Sequence, residues 1–145
     1  MPTYLSLALF IQLSRLAKVT LATAAIALCL SSCTSTAPRF GEKGYSEQGK
    51  ASYYARKFQG RKMANGDKYR RGKLTAAHKE LPFGTKVKVT NLQTNKTVKV
   101  KITDRGPFVR GRIIDLSEAA AKRVGMMDAG VAPVKMKVIK SAKTE

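Results

Sequence analysis

The sequence predicts a small all-β domain that closes into a barrel and carries a short helix. Two segments, Lys86 to Thr90 (KVKVT) and Thr97 to Ile102 (TVKVKI), alternate between apolar residues and lysine or threonine, which is the period of a half-buried strand. A third alternating segment runs from Val134 to Val138 (VKMKV). Several short strands separated by turns, within a predicted domain at residues 49–140, favour a small barrel.

Turn and capping signals predict the remaining elements. The linker NLQTN between the first two alternating segments is polar and turn-prone, so these segments are expected to form a hairpin. Ala51 to Tyr54 is expected to be a short strand. The helix is predicted over Glu118 to Val124, because Ser117 suits the N-cap and Gly125 can take the left-handed position after the last turn.

The first 32 residues have the pattern of a bacterial export signal. Arg15 and Lys18 precede an uncharged apolar run, Val19 to Leu30, which has the length of a signal-peptide core and is short for a bilayer span. The sequence from Leu30 to Cys33 (LSSC) then resembles the lipobox at which a bacterial lipoprotein is cleaved and its cysteine lipidated. The alternatives are an ordinary secretory signal with a chance cysteine, or a buried apolar helix.

These patterns divide the chain into four parts. Residues 1–32 are the expected signal peptide, 33–48 a flexible tether rich in small and polar residues, 49–140 the barrel and 141–145 a tail. Cleavage before Cys33 would remove Cys29, so the domain is expected to be held by packing without a disulfide. Lipid on Cys33 would attach the protein to a membrane.

The charge of the chain predicts an anionic partner. The 145 residues carry a net charge of +19, and loss of the signal peptide would leave 26 basic residues against 9 acidic ones, a charge of +17. An exported lipoprotein meets cell-wall carboxylates, anionic lipids or lipopolysaccharide. No nucleic-acid partner is therefore expected.

Several kinds of chemistry find no support in the sequence. The single histidine, the lack of a retained cysteine pair and the scattered carboxylates argue against a metal site, and no cofactor is expected. Gly106 and Gly111 follow no strand-to-helix pattern, which argues against a phosphate-binding loop. No nucleophile-elbow sequence accompanies His78, which argues against a serine triad. Carboxylate chemistry near a lone histidine remains.

Three aspartates are candidates for that chemistry, and each also has a structural interpretation. Asp67 lies in ANGDKY, where it could belong to a turn, and Asp115 precedes a helix start, where its charge suits the helix dipole. Asp104 ends an alternating strand in TDRGPF and could pair with Arg105 or cap the following turn. His78, in LTAAHKELP, could be a hydrogen-bonded structural histidine.

The motifs KASYYA, ANGDKY, LTAAHKELPFGT, VTN, TDRGPF and GRIIDLSEAAA resemble, in order and spacing, those of the rare lipoprotein A family of septal-ring lytic transglycosylases. The resemblance covers roughly residues 49–139. It implies a six-stranded double-psi β-barrel with one or two short helices, related in fold to expansins and barwin. It also implies cleavage of the bond between N-acetylmuramic acid and N-acetylglucosamine without hydrolysis, which leaves a 1,6-anhydro end.

The resemblance assigns roles to particular residues. Asp104 matches the catalytic aspartate of the family, His78 its active-site histidine and Asp67 its second acidic residue, which is usually glutamate. The residues expected to contact substrate are Tyr53, Tyr54, Asn65 and Arg105.

One physical condition decides whether Asp104 can act. A general acid must hold a proton near neutral pH, which a paired arginine opposes, so Asp104 requires a groove that excludes water and an Arg105 engaged elsewhere. Tyr53, Tyr54, Phe58 and Phe108 are candidates for stacking on sugar rings, with core packing as the alternative. Ala55 stands where the family usually has glycine, which would matter if that position needed a positive φ.

Two functions are therefore expected from the sequence. The first is a lytic transglycosylase that acts on peptidoglycan glycan strands, and the alternative is a non-catalytic, expansin-like peptidoglycan-binding lipoprotein. The septal-ring family also implies division-site proteins as partners. Thr34 follows the predicted lipidated Cys33 in place of an inner-membrane retention aspartate, so the expected location is the cell envelope, at the outer membrane in a Gram-negative cell.

Overall fold

The computed structural model describes residues 36–142, so the predicted signal peptide, Cys33 and the last three residues of the predicted tail lie outside the described part. The described chain forms β1 to β6, a 3-10 turn at Arg56–Phe58 and helix α1. The strands and helix are β1 Ser46–Tyr53, β2 Thr75–His78, β3 Lys86–Asn91, β4 Thr97–Asp104, β5 Arg112–Leu116, α1 Glu118–Arg123 and β6 Ala132–Lys140.

The six described strands close into a barrel in the order β1, β5, β2, β4, β3, β6. Strands β4, β3 and β6 pair antiparallel in succession and are called here the antiparallel half. Strands β1, β5 and β2 are called the crossed half, because β1 lies parallel to β5 and β2 lies parallel to β4 across the junction with the other half. Parallel neighbours need crossover connections, so the crossed half joins segments far apart in sequence.

The antiparallel half confirms the predicted alternation. In β3 and β4 the valines and Ile102 are buried while the lysines are exposed, and β6 continues the pattern with Val134, Met136 and Val138 inside. The predicted hairpin pairs Lys88 with Lys99 across the NLQTN turn. The inward side chains of all strands form the apolar core together with α1.

The first strand begins earlier than the sequence predicts. Residues 46–48, assigned to the tether, pair with β6 from Ser46 opposite Lys137 to Gln48 opposite Lys135. The residues before them also contact the barrel, since the Gly44 N–H donates to the Val138 carbonyl at 2.9 Å. These residues are polar and partly exposed, so their place in the sheet comes from backbone pairing that hydropathy does not reveal.

Strands β2 and β5 carry no alternating pattern that predicts them. Thr75–His78 is only four residues long and buries Ala76, Ala77 and His78, whereas Arg112–Leu116 buries Ile114 and Leu116. A strand covered on both faces reads as a short continuous apolar run, which periodicity does not separate from other buried segments.

Helix α1 confirms the capping prediction. The Ser117 hydroxyl accepts the Ala120 N–H at 3.3 Å, and Gly125 follows the helix with a φ of +66°. The same hydroxyl accepts the Thr75 N–H at 3.4 Å, so the cap also ties the helix to β2. Among residues 36–142, no helix has the length and apolar character needed to cross a membrane.

Candidate active site

A surface cavity of about 430 Å³ opens where β4 ends at Asp104. Its walls combine aromatic, basic and acidic side chains, and it is called here the Asp104 cleft. The lining residues are Tyr54, Phe58, Arg61, Lys62, Met63, Tyr69, Asp104, Arg105, Gly106, Pro107, Phe108, Val109, Arg112 and Asp115. Gly106 has a φ of +120°, a conformation that favours glycine. The chain turns at this residue, two positions after β4 ends at Asp104.

Three donors hold the half-buried carboxylate of Asp104. Its Oδ1 accepts the backbone N–H groups of Ala64 at 2.8 Å and Arg105 at 2.9 Å, and its Oδ2 accepts the Tyr54 hydroxyl at 2.7 Å. A carboxylate offers about four lone-pair positions, so these bonds leave one, on Oδ2. That lone pair is available to a bound molecule while the three hydrogen bonds keep the carboxylate oriented.

The Arg105 guanidinium is engaged away from Asp104. Its Nη1 donates to the backbone carbonyls of Leu81 at 2.9 Å and His78 at 3.3 Å, and the group lies 3.8 Å from the ring centroid of Phe83. Among the described ion pairs within 4.0 Å, none joins Arg105 to Asp104. Arg105 thus braces the loop before β3, which meets one of the two conditions stated from the sequence, whereas the cleft itself is open to solvent.

Tyr54 lies in the cleft as a hydrogen-bond donor. Its ring packs against Tyr69 at 4.9 Å and Phe58 at 5.8 Å between centroids. Burial, and then the hydrogen bond to Asp104, raise the pKa of Tyr54 above its ordinary value. The hydroxyl therefore stays protonated and can donate its hydrogen bond to Asp104. Tyr53, in contrast, lines another cavity and donates its hydroxyl to the Met127 carbonyl at 3.2 Å.

Asp67 and Asn65 do not line the Asp104 cleft. Asp67 lines an adjoining cavity of about 520 Å³ that shares Met63 with the cleft. Its Oδ2 accepts the Asn65 side-chain amide at 2.8 Å, and its backbone N–H donates to Asn65 Oδ1 at 3.1 Å. The pair therefore forms the local turn that the ANGD sequence also allows.

His78 lies in a third cavity, of about 200 Å³, with Phe40, Tyr45 and Glu47. Its Nδ1 accepts the backbone N–H groups of Glu80 at 3.2 Å and Leu81 at 3.0 Å, so the proton of the neutral ring belongs on Nε2, which is 3.5 Å from Glu47 Oε2. Burial lowers the pKa of His78, and the Glu47 carboxylate opposes that effect in part. The structure does not bring Asp67, His78 and Asp104 together in one cavity.

The second carboxylate of the cleft is Asp115, which the sequence favours as a structural residue. It accepts the Ser52 hydroxyl, and its Oδ1 lies 3.7 Å from the Arg112 Nε. Its charge also contributes to the raised pKa of Tyr54, which places it within electrostatic reach of that hydroxyl. Once β5 is known to be a strand, the place of Asp115 between the inward-facing Ile114 and Leu116 puts its side chain on the face opposite the core.

Two other sequence questions are resolved by position. Phe108 is 83% exposed at the rim of the cleft, so it does not belong to the core. Ala55 has a φ of −65°, an ordinary conformation for alanine, so replacement of the family's glycine causes no backbone strain there.

Within residues 36–142, no group of three or more His, Cys, Asp and Glu side chains could hold a metal ion.

The family model described as "Lytic transglycolase" matches residues 46–136. The chain belongs to this family. The motif-based resemblance is thereby confirmed, and the closed six-stranded barrel is the double-psi β-barrel that it implied. The matched range begins and ends within the barrel and includes every residue of the Asp104 cleft.

Curated relatives extend this result. "Endolytic peptidoglycan transglycosylase RlpA" of Pasteurella multocida is 52% identical over 96 residues, which are 66% of this chain and 33% of the relative. The protein of the same name from Campylobacter jejuni is 51% identical over 96 residues, 66% of this chain and 35% of the relative. The chain thus spans about a third of the length of these relatives.

Solved structures share the fold. A papain inhibitor of Streptomyces superposes with a TM-score of 0.55 at 25% identity, covering 68% of this chain and 97% of that one. An expansin of Clavibacter michiganensis superposes with a TM-score of 0.54 at 22% identity, covering 69% of this chain and 53% of that one. The same barrel thus occurs in a protein named as a papain inhibitor and in one named as an expansin, so function has to be argued from the site.

Proposed function

We propose that this protein is a peptidoglycan lytic transglycosylase in which Asp104 acts as both acid and base. The observation that carries the proposal is the orientation of Asp104 by three donors, with one lone pair of Oδ2 left unused in an open cleft. Membership of the family and the names of its relatives supply the substrate class, which is the peptidoglycan glycan strand.

The proposed reaction needs one proton carrier and no water. Asp104 donates its proton to the glycosidic oxygen as the bond from that oxygen to C1 of N-acetylmuramic acid breaks. The resulting carboxylate then takes the proton of the C6 hydroxyl as that oxygen bonds to C1. The products are a free sugar hydroxyl and a 1,6-anhydro end, and Asp104 regains its proton.

The other cleft residues support each stage. Tyr54 and the N–H groups of Ala64 and Arg105 stabilise the Asp104 carboxylate after it gives up its proton. The charge of Asp115, held by Ser52, stabilises the positive charge that develops at C1 in an oxocarbenium-like transition state. The ring of Phe108, exposed at the rim, offers an apolar surface to a sugar face.

The envelope location belongs to the same proposal. Residues 30–33 (LSSC) after an apolar run support cleavage before Cys33 and its lipidation, and Thr34 supports the outer membrane in a Gram-negative cell. A septal role, with division-site proteins as partners, is the extension suggested by the family resemblance. Mass spectrometry of the exported protein would test lipidation, since Cys33→Ser should leave the signal uncleaved and remove the lipid mass.

The decisive experiment treats glycan strands, both peptide-bearing and peptide-stripped, with the purified protein and measures anhydro-muramic ends by mass spectrometry. Asp104→Asn should lower the rate of product formation by about a thousandfold, within the range for a lost general acid. The matched control is Asp128→Asn, which removes an exposed carboxylate outside the cleft and should leave the rate unchanged.

Product from neither substrate would overturn the enzymatic proposal. If the unaltered protein still bound the strands, that result would favour the expansin-like binding function. An Asp104→Asn variant that kept full activity would show that another group supplies the proton.

A further inference from the structure

The outer face of the antiparallel half carries an ordered array of lysines. Lys137, Lys88 and Lys99 are direct cross-strand neighbours on β6, β3 and β4, and Lys140, Lys86 and Lys101 form a second row beside them. With Lys135 opposite Thr90, seven exposed lysines cover this surface, called here the lysine face. Neighbouring strands lie about 5 Å apart, so the ammonium groups are closely spaced.

This arrangement works against folding. Like charges directly opposite one another across a sheet destabilise it, and here both rows place such pairs across two successive strand interfaces. No acidic residue shares the outer face of these three strands, and none of the seven lysines forms an ion pair within 4.0 Å among the described residues. The positive charge of the lysine face is therefore not neutralised by any carboxylate within 4.0 Å in the described part of the protein.

The kind of cation indicates the kind of ligand. Strands β3, β4 and β6 contain lysine and no arginine, whereas the Asp104 cleft is lined by Arg61, Arg105 and Arg112 beside a single lysine, Lys62. Arginine recognises single carboxylates or phosphates through paired, planar hydrogen bonds, whereas lysine presents a flexible, hydrated point charge. A face built only of lysine favours a surface of delocalised negative charge over one oriented anion.

We propose that the lysine face binds an anionic phospholipid bilayer surface. Each lysine near such a surface contributes about fivefold to the partition coefficient, so three of them contribute about a hundredfold. Strands β3, β4 and β6 contain no aromatic residue on which a nucleobase or sugar could stack, which disfavours a single-stranded nucleic acid or a glycan strand as the ligand here. This inference does not depend on the transglycosylase activity.

The test is sedimentation of the full chain with vesicles of phosphatidylcholine, alone or with 30% phosphatidylglycerol as a chosen composition, at low and high salt. The face variant replaces Lys88, Lys99 and Lys137 with Gln. The control variant replaces Lys43, Lys57 and Lys79 with Gln. These lysines are exposed and lie outside the lysine face, so both variants lose the same charge. The apolar N-terminal residues 19–30 are common to all three proteins, and the readout is the extra binding caused by phosphatidylglycerol.

The binding added by phosphatidylglycerol should be about a hundredfold weaker for the face variant than for the unaltered protein, and the control variant should keep most of it. Equal losses in the two variants would overturn the proposal, because net charge alone would explain the binding. Unchanged binding of the face variant would overturn it as well. So would a face variant that kept vesicle binding and lost binding to purified sacculi or to DNA, since the face would then serve a different partner.

Discussion

The two halves of the barrel use opposite kinds of sequence for different tasks. Strands β3, β4 and β6 alternate over most of their length and present lysines outward, while β2 and β5 are only four and five residues long, and β1 and β5 supply Ser52 and Asp115 to the site. Asp104 lies at the junction, because it ends β4 and its backbone pairs with Ala77 of β2. The proposed acid thus lies where the alternating strands meet a pairing with a register shift.

This difference shows how a small barrel can separate charge from chemistry. In the antiparallel half, side chains alternate between core and solvent, so each outward position can change without disturbing the core. Both parallel pairings contain register shifts, at Lys50/Ala51 and Ala76/Ala77, and the antiparallel half has one where β3 begins, at Lys86/Val87. Such irregularities redirect side chains, which suits the building of a site.

The largest expected effect comes from matched core truncations in the two halves. Met136→Ala and Leu116→Ala each remove a fully buried side chain, and each should lower the free energy of unfolding by about 2–5 kcal/mol in urea titrations. Activity per folded molecule should fall only for Leu116→Ala, because collapse around the new cavity would shift the β5 backbone, which carries Asp115 and whose Leu116 carbonyl accepts the Tyr54 N–H at 3.0 Å. An equal fall in both variants would show that the halves are not separable.

A smaller effect is expected from removing one hydroxyl in the cleft. Tyr54→Phe deletes the donor to Asp104 Oδ2 and should slow formation of anhydro ends by about 10- to 100-fold, the value of one hydrogen bond to a charged group. Tyr53→Phe is the control, since its hydroxyl bonds to Met127 outside the cleft. If both variants had the same rate as the unaltered protein, Tyr54 would have no part in the reaction.

The stability of the protein should depend on pH through His78. Because burial lowers its pKa in the folded state, the unfolded chain takes up this proton more readily, so stability should fall as the pH drops below about 6.5. His78→Asn keeps a side-chain acceptor for the N–H groups of Glu80 and Leu81 but does not titrate. Urea midpoints at pH 7.5 and pH 5 should therefore differ less for the variant, and an unchanged difference would contradict the assignment.

The smallest effect is a gain in stability in the antiparallel half. Lys88→Gln removes a charge that faces both Lys99 and Lys137, so the free energy of unfolding should rise by about 0.2–1 kcal/mol at low salt. The gain should shrink in high salt, because exposed charges are screened. A loss of stability at low salt would show that the lysine stems contribute more by packing than their charges cost.

Prediction from sequence succeeded where a local rule determines the structure. Strands β3, β4 and β6 follow from alternation, and α1 follows from Ser117 and Gly125, because each rule acts over a few residues. Prediction failed for the start of β1 at Ser46, and periodicity did not find β2 or β5. Those elements depend on pairing with segments distant in the chain.

The sequence by itself determined the family, the alternating strands, the excess of positive charge and the place of TDRGPF among the family motifs. Motif order and side-chain period are properties of the chain alone. Only the tertiary structure decided that Tyr54 and Ala64 orient Asp104, that Arg105 is engaged by Leu81 and His78, and that Asp115 shares the cleft. The hydrogen bonds of Asp104 and of the Arg105 guanidinium named here join residues that are 24 to 50 positions apart in the sequence. Asp115 and Asp104 line the same cavity. The closure of the barrel creates them, and no local rule anticipates which distant side chains will meet.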